Sequence, residues 1–174
     1  PDGDGWKVLL GGLHAGVCLL APLLIAVIAS RVTEIERAGN GWLLFAASGT
    51  TPGQLCRAKF LALGAPLAAV CVLWGLCVPM WGALLGVPAP VPTGRIVAYT
   101  ASVCVISLVI LALQLLISLA SDNQLLAVGA GMLGVLLSMI GAMAPTWAQY
   151  LTPWTYYSLV APMTFTGSDP VYLD

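Results

Sequence analysis

The side chains able to do chemistry in this chain are few. His14, Cys18, Cys71, Cys77, Cys104, Ser107 and Gln114 lie singly within apolar runs, while Glu34, Glu36, Arg37, Cys56, Arg57 and Lys59 gather in one polar stretch. There is no Walker lysine loop, nucleophile elbow, HExxH or paired-carboxylate arrangement, so a catalytic site is hard to assemble from these residues. The five cysteines form no CxxC and are odd in number, which supports neither a metal site nor a disulfide framework; they read as small apolar residues. His14 is the one histidine, and an imidazole inside an apolar run is costly unless it meets a partner or a cavity. Two readings therefore stand for His14, Ser107 and Gln114: hydrogen-bonded packing between helices, or a place along a path through the protein.

The elements that must position these groups follow from composition. The chain of 174 residues is 60% hydrophobic and only 7% charged, with a mean hydropathy of +0.99, far from a soluble domain with about a quarter of its residues charged. The expected fold is all-α, a polytopic transmembrane helical bundle forming one domain over residues 1–174. Four apolar segments of near-spanning length are expected at 8–30, 60–85, 96–120 and 125–144. The first exceeds the h-region of a signal peptide, and its basic cluster follows the run instead of preceding it. A net charge of −1 without a basic patch argues against a nucleic-acid partner.

Arg31, Arg37, Arg57 and Lys59 lie between the first two spans, whereas only Lys7 and Arg95 flank the other side. The positive-inside rule puts the segment 31–59 in the cytoplasm and 145–174 outside, with Trp6, Trp81, Trp147 and Trp154 near the outer interface. Arg57 and Lys59 then serve as interfacial anchors. Thr51-Pro52-Gly53-Gln54 and Ser121-Asp122-Asn123-Gln124 both read as capping boxes that start a helix at the inner face. In the last span Ala127, Gly131, Gly134, Ser138 and Gly141 line up on one helix face, which should pack closely against another helix.

The polar stretch between the first span and Thr51 holds about twenty residues, too few for a domain and too many for a minimal turn. Asn40 can cap a short helix from Gly41 to Ser48 that carries Trp42 and Phe45 on one side and ends at Gly49. Such a helix plugs into a groove on a soluble partner, lies flat in the headgroups, or folds back on the bundle.

The stretch "EIERAGNGWLLFAASGTTPGQLCRAKF", Glu34 to Phe60, resembles the cytoplasmic segment of ABC type-2 exporter permeases, in the branch that includes lantibiotic-immunity and related drug or peptide exporters. The preceding "LLAPLLIAVIAS" is similar to the second span of such permeases, and "PTWAQYLTPWTYYSLVAPM" to their aromatic outer segment. The resemblance implies that Trp42, Leu43, Leu44, Phe45 and Ser48 form a coupling helix that docks on an ATP-binding-cassette subunit, with Glu34, Glu36 and Arg37 as its charged approach. It also implies a second permease copy or paralogue, ATP and Mg held by the partner subunit and none in this chain, residence in the inner (plasma) membrane of a bacterium, and six spans, one before Pro1 and one after Asp174. Family turns place an arginine soon after the proline, whereas Arg57 here stands five residues beyond Pro52, which leaves the register of the docking helix open.

The outer segment 145–174 is rich in aromatics and broken by proline, so it reads as a re-entrant or interfacial hairpin. In the resembling family such a hairpin helps close the exit, which would make Trp147, Tyr150, Trp154 and Tyr157 an outer gate. An interfacial belt is the other reading. For the whole chain the alternative to an exporter subunit is a non-transport immunity or assembly factor that binds a peptide at its outer surface.

Overall fold

A computed structural model describes residues 4–39, 41, 45, 47–121, 123–141, 143–166 and 169–172. Four helices dominate it: α1 (Asp4–Ala38), α2 (Pro52–Leu84), α3 (Thr93–Ala120) and α4 (Gln124–Gly141). Each is long and apolar enough to cross a bilayer. Their surfaces carry Leu61, Leu73, Leu76, Leu84, Leu125 and Leu133 in the open, side chains that water would not tolerate in such density and that acyl chains would solvate. The chain is a multi-pass membrane protein.

α1 packs chiefly on α4 and α3, and α2 packs on α3 while barely meeting α1. The main core is accordingly built around α3, where Tyr99, Val103, Ile106, Ile110, Leu111 and Leu115 meet Cys18, Ile25 and Ala29 of α1. The α1–α4 contact is close because the small face expected on the last span is the buried one: Ala127, Gly131, Gly134, Ser138 and Gly141. A methyl group added at Gly131 would collide with the Ala26 side chain and lie 3.4 Å from the Pro22 carbonyl. Backbones can approach this far only without side chains between them.

The helix ends are set by local chemistry. Thr51 accepts from the Gln54 amide at 3.3 Å while the Gln54 side chain accepts from the Thr51 amide at 2.9 Å, with Pro52 at the first helical position, as the sequence predicts. α2 ends in a Schellman motif, in which Gly86 (φ 67°) lets Gly86 and Val87 donate to the Ala83 and Gly82 carbonyls. The second expected capping box is corrected. Asn123, and not Ser121, caps α4, its Oδ1 accepting from the Leu125 amide at 3.0 Å, while Ser121 Oγ accepts from the Asn123 amide and closes the turn. α4 also stops at Gly141 rather than 144, because Met143 and Ala144 turn back to Ile140 and Gly141 ahead of Pro145.

Two expectations about the ends of the bundle change. α1 continues past Ser30 to Ala38, so helix occupies the first part of the segment 31–59. No breaker stands before Gly39, and Thr33 Oγ1 donates back to the Ala29 and Ser30 carbonyls. The tryptophans do not form one belt: Trp81 is exposed, but Trp6 is buried against Gly82, Leu10, Val78 and Ile96, with its indole donating to the Ala89 carbonyl at 2.9 Å. A ring that fits over a glycine and reaches a free carbonyl gains more from packing than from the interface.

Beyond α4 the chain forms α5 (Thr146–Gln149), a 3-10 turn at Pro153–Thr155 and α6 (Tyr156–Leu159). It then makes an antiparallel pair, β1 (Met163–Thr166) with β2 (Asp169–Tyr172), in the register Met163 to Tyr172. The all-α expectation therefore needs this small hairpin added to it.

Candidate functional site

The end of the bundle that carries Arg37 and Lys59 is the basic end. Here α1 and α2 converge on the segment 39–51. Helix is present at Gly41, Phe45 and Ala47, and the turn closes where Gly49 takes φ 72° and Thr50 donates to the Phe45 carbonyl at 3.1 Å. Trp42, Leu43 and Leu44 lie outside the described residues. Phe45 is half-buried, close to Gly41, and Gly41 in turn sits on the backbone of Glu36. Ser48 is exposed and spends its hydroxyl on the local turn, donating to the Phe45 carbonyl at 2.9 Å and meeting Thr50 Oγ1 at 2.8 Å.

The three charged residues expected beside the docking helix all stand in the last turns of α1, and each has a partner within the chain. Glu34 pairs with Arg31 at 3.2 Å on the surface. Glu36 pairs with Lys59 at 2.5 Å, and the Lys59 side chain is only 4% exposed. This corrects Lys59 as an interfacial anchor; Arg57, two residues earlier, is exposed. Arg37 reaches across to the end of α3 and donates to the carbonyls of Ser118, Leu119 and Ser121. The Ser118 and Leu119 carbonyls belong to the last turn of α3, where carbonyls lack intrahelical donors and carry the negative end of the helix dipole, so a guanidinium fork suits them. Ser30, Thr33, Glu34 and Arg37 face Ser118, Ser121, Asn123 and Gln124 across a polar cleft of about 170 Å³.

The three span residues considered for a path, His14, Ser107 and Gln114, are all engaged in hydrogen bonds. His14 Nδ1 meets the Tyr99 hydroxyl at 2.9 Å, and its Nε2 meets Cys18 Sγ at 3.4 Å. Tyr99 is also in tilted contact with Trp74, so one cluster ties α1, α2 and α3 together. Gln114 is fully buried. Oriented to satisfy its amide, it donates to the Ala127 carbonyl and accepts from the Gly131 amide, both at 3.2 Å. Ser107 shares a hydrogen bond of 2.9 Å with Tyr157.

That last bond matters for the aromatic segment, because Ser107 lies midway along α3 and Tyr157 has no exposed surface. The turn at Pro153–Thr155 lies on α4, with the Trp154 indole over Gly134 and Ser138 Oγ donating to the Trp154 carbonyl at 3.0 Å. Trp154 and Tyr157 thus enter the bundle, whereas Trp147 and Tyr150 are 70% and 61% exposed. The four residues expected to act together as an outer gate divide into two inward keys and two outward faces, and Trp154 is removed from the interfacial belt. Tyr157→Phe is expected to cost about 0.5–1.5 kcal/mol, read as a fall in thermal stability in detergent, since it leaves the Ser107 hydroxyl without its partner.

Sequence reasoning missed the Glu36–Lys59 pair and the Arg37 cap. The signal available was weak: charges next to spans usually snorkel, and only the continuation of α1 to Ala38 brings Glu36 level with Lys59. Comparison with family models, with curated proteins and with solved structures finds no match.

Proposed function

We propose that this chain is the membrane-spanning permease subunit of an ATP-binding-cassette exporter of the type-2 class, seated in the inner (plasma) membrane of a bacterium. It would move a peptide, lantibiotic-like, or a hydrophobic compound outward. In this reading the basic end is cytoplasmic, in keeping with the distribution of lysine and arginine.

The observation that carries the reading is the construction of the basic end. α1 and α2 have 35 and 33 residues. At about 1.5 Å per residue each runs about 50 Å, well beyond a hydrocarbon core of about 30 Å. In this reading their surplus length would carry residues 39–51 beyond the bilayer on two helices, as a transmitter of force from a soluble motor requires. The spans hold no carboxylate that would suit proton or sodium coupling, which favours energy supplied from outside the chain. ATP and Mg belong to the partner subunit in this proposal. A second copy or paralogue would complete the path.

The test is co-purification of the protein in detergent with its candidate ATP-binding subunit, comparing wild type with a Trp42→Asp, Phe45→Asp double variant. Wild type is expected to retain the subunit, and the variant to lose at least about tenfold in affinity while still folding, as for central aromatic anchors of an interface. If neither binds, the permease reading gives way to a module that takes a peptide on its outer surface, where Trp147, Tyr150 and Leu151 are exposed.

A further inference from the structure

The contacts between α1 and α2 are sparse, and two of them lie at opposite ends of the pair. At one extreme Trp6 covers Gly82 and Val78. At the other Lys59 meets Glu36. Near the Trp6 extreme the helices leave an apolar groove of about 650 Å³, lined by Val8, Leu9, Gly12, Leu13, Trp81 and Leu85. α2 therefore rests chiefly on α3 and meets α1 at points that include both of its ends. At the basic end an ion pair does the holding, and Arg37, the next residue, fastens the same turn of α1 to the end of α3.

We infer that Glu36, Lys59 and Arg37 form a releasable clasp that locks the basic ends of α1, α2 and α3 in one arrangement, and that displacement of Gly41, which abuts Glu36, operates it. A buried ion pair has few intermediate states. Separation leaves two desolvated charges, so the clasp is either closed or open with both groups rehydrated. Gly41 has direct purchase on it, because a methyl group there would meet the Glu36 carbonyl at 3.0 Å and the Glu36 Cβ at 3.5 Å. A push on Gly41 is transmitted to the turn that presents Glu36 to Lys59 and Arg37 to α3. With the clasp open, α2 would swing about Trp6 on Gly82. This inference deepens the permease reading and rests on it for the identity of what pushes, but not for the existence of the clasp.

A native reporter exists, since Cys56 stands one turn before Lys59, is partly exposed, and flanks a groove with Arg57 and Phe60. The other four thiols, at 18, 71, 77 and 104, lie within the spans. The purified protein in lipid nanodiscs, with no ATP-binding subunit, is reacted with a charged water-soluble maleimide. Glu36→Gln and Lys59→Gln are each expected to raise the Cys56 labelling rate at least about fivefold over wild type, because local opening becomes easier. The exchanged pair Glu36→Lys, Lys59→Glu is expected to restore a rate within about twofold of wild type, because it rebuilds the pair. Unchanged rates in both single variants, or an exchanged pair as fast as the singles, would overturn the inference.

Should the single variants fail to fold, hydrogen exchange on wild type decides. A clasp requires residues 31–38 and 55–63 to become exchangeable together, and independent opening refutes it. A clasp that passes while no ATP-binding subunit docks would leave the device standing and remove the permease reading. Docking with unchanged labelling would do the reverse.

Discussion

Gly131→Leu is expected to unseat α1 from α4 and to lower stability by about 3 kcal/mol, at the upper end of overpacking costs. The added carbons have no space to enter, since the Ala26 methyl, the Pro22 carbonyl and the Gln114 amide already surround the site. Repacking by rotamer change is unavailable too, because two of those three neighbours are a methyl group and a backbone atom. The control is on the same helix: nothing lies within 4 Å of a side chain begun at Gly129. Gly129→Leu is therefore expected to change stability by less than about 0.5 kcal/mol, as an outward substitution does. Thermal unfolding of both variants in one detergent separates close α1–α4 packing from a general aversion to bulk in this helix; equal losses would contradict the packing.

Lys59→Met should cost about 3 kcal/mol or more, because it strands a carboxylate within a largely buried pair. The double variant Glu36→Leu, Lys59→Met should recover most of that loss, as apolar residues of similar volume often replace a buried pair without penalty. Arg31→Ala makes a useful comparison. Its pair with Glu34 is longer, 3.2 Å, and its side chains are 66% and 44% exposed, so it should cost less than about 0.5 kcal/mol. A thermal series in which Lys59→Met matched Arg31→Ala would mean that the Lys59 pair is hydrated and contributes nothing special.

These two expectations draw on features of unequal visibility. The small face of α4 is written in the chain as a repeat of three and four, and a repeat can be read without knowing what it meets. The capping box at Thr51 is equally local, since cap and partner stand three residues apart. The choice of Asn123 over Ser121 is not local. Both side chains can cap, and the turn from α3 decides which one does. Trp6 and Lys59 were misplaced for a related reason. An aromatic or a lysine near a span end has an adequate default position at the interface, and only a distant partner displaces it, Gly82 in one case and Glu36 in the other. The β-hairpin did leave a mark, "MTFTGSDPVY", with β-branched and aromatic residues on either side of a Gly-Ser pair. The prolines around it point to a re-entrant or interfacial hairpin but do not distinguish strands from a helical one. Of the proposed site, helix at Gly41, Phe45 and Ala47 and the turn at Gly49 are legible, whereas the ties of Glu36 and Arg37 are not.

The pairing of α1 with α4 also sets the order in which the protein can be made. Ala26 and Gly131 are roughly a hundred residues apart, so the most extensive helix contact closes only after ribosome and translocon have delivered nearly all of the described chain. α2 and α3, adjacent in sequence and packed along their length, can associate as soon as both are inserted. α1 must therefore wait in the lipid with its glycine-fitting surface uncovered, and any chaperone or insertase that shelters nascent membrane helices would meet that surface first.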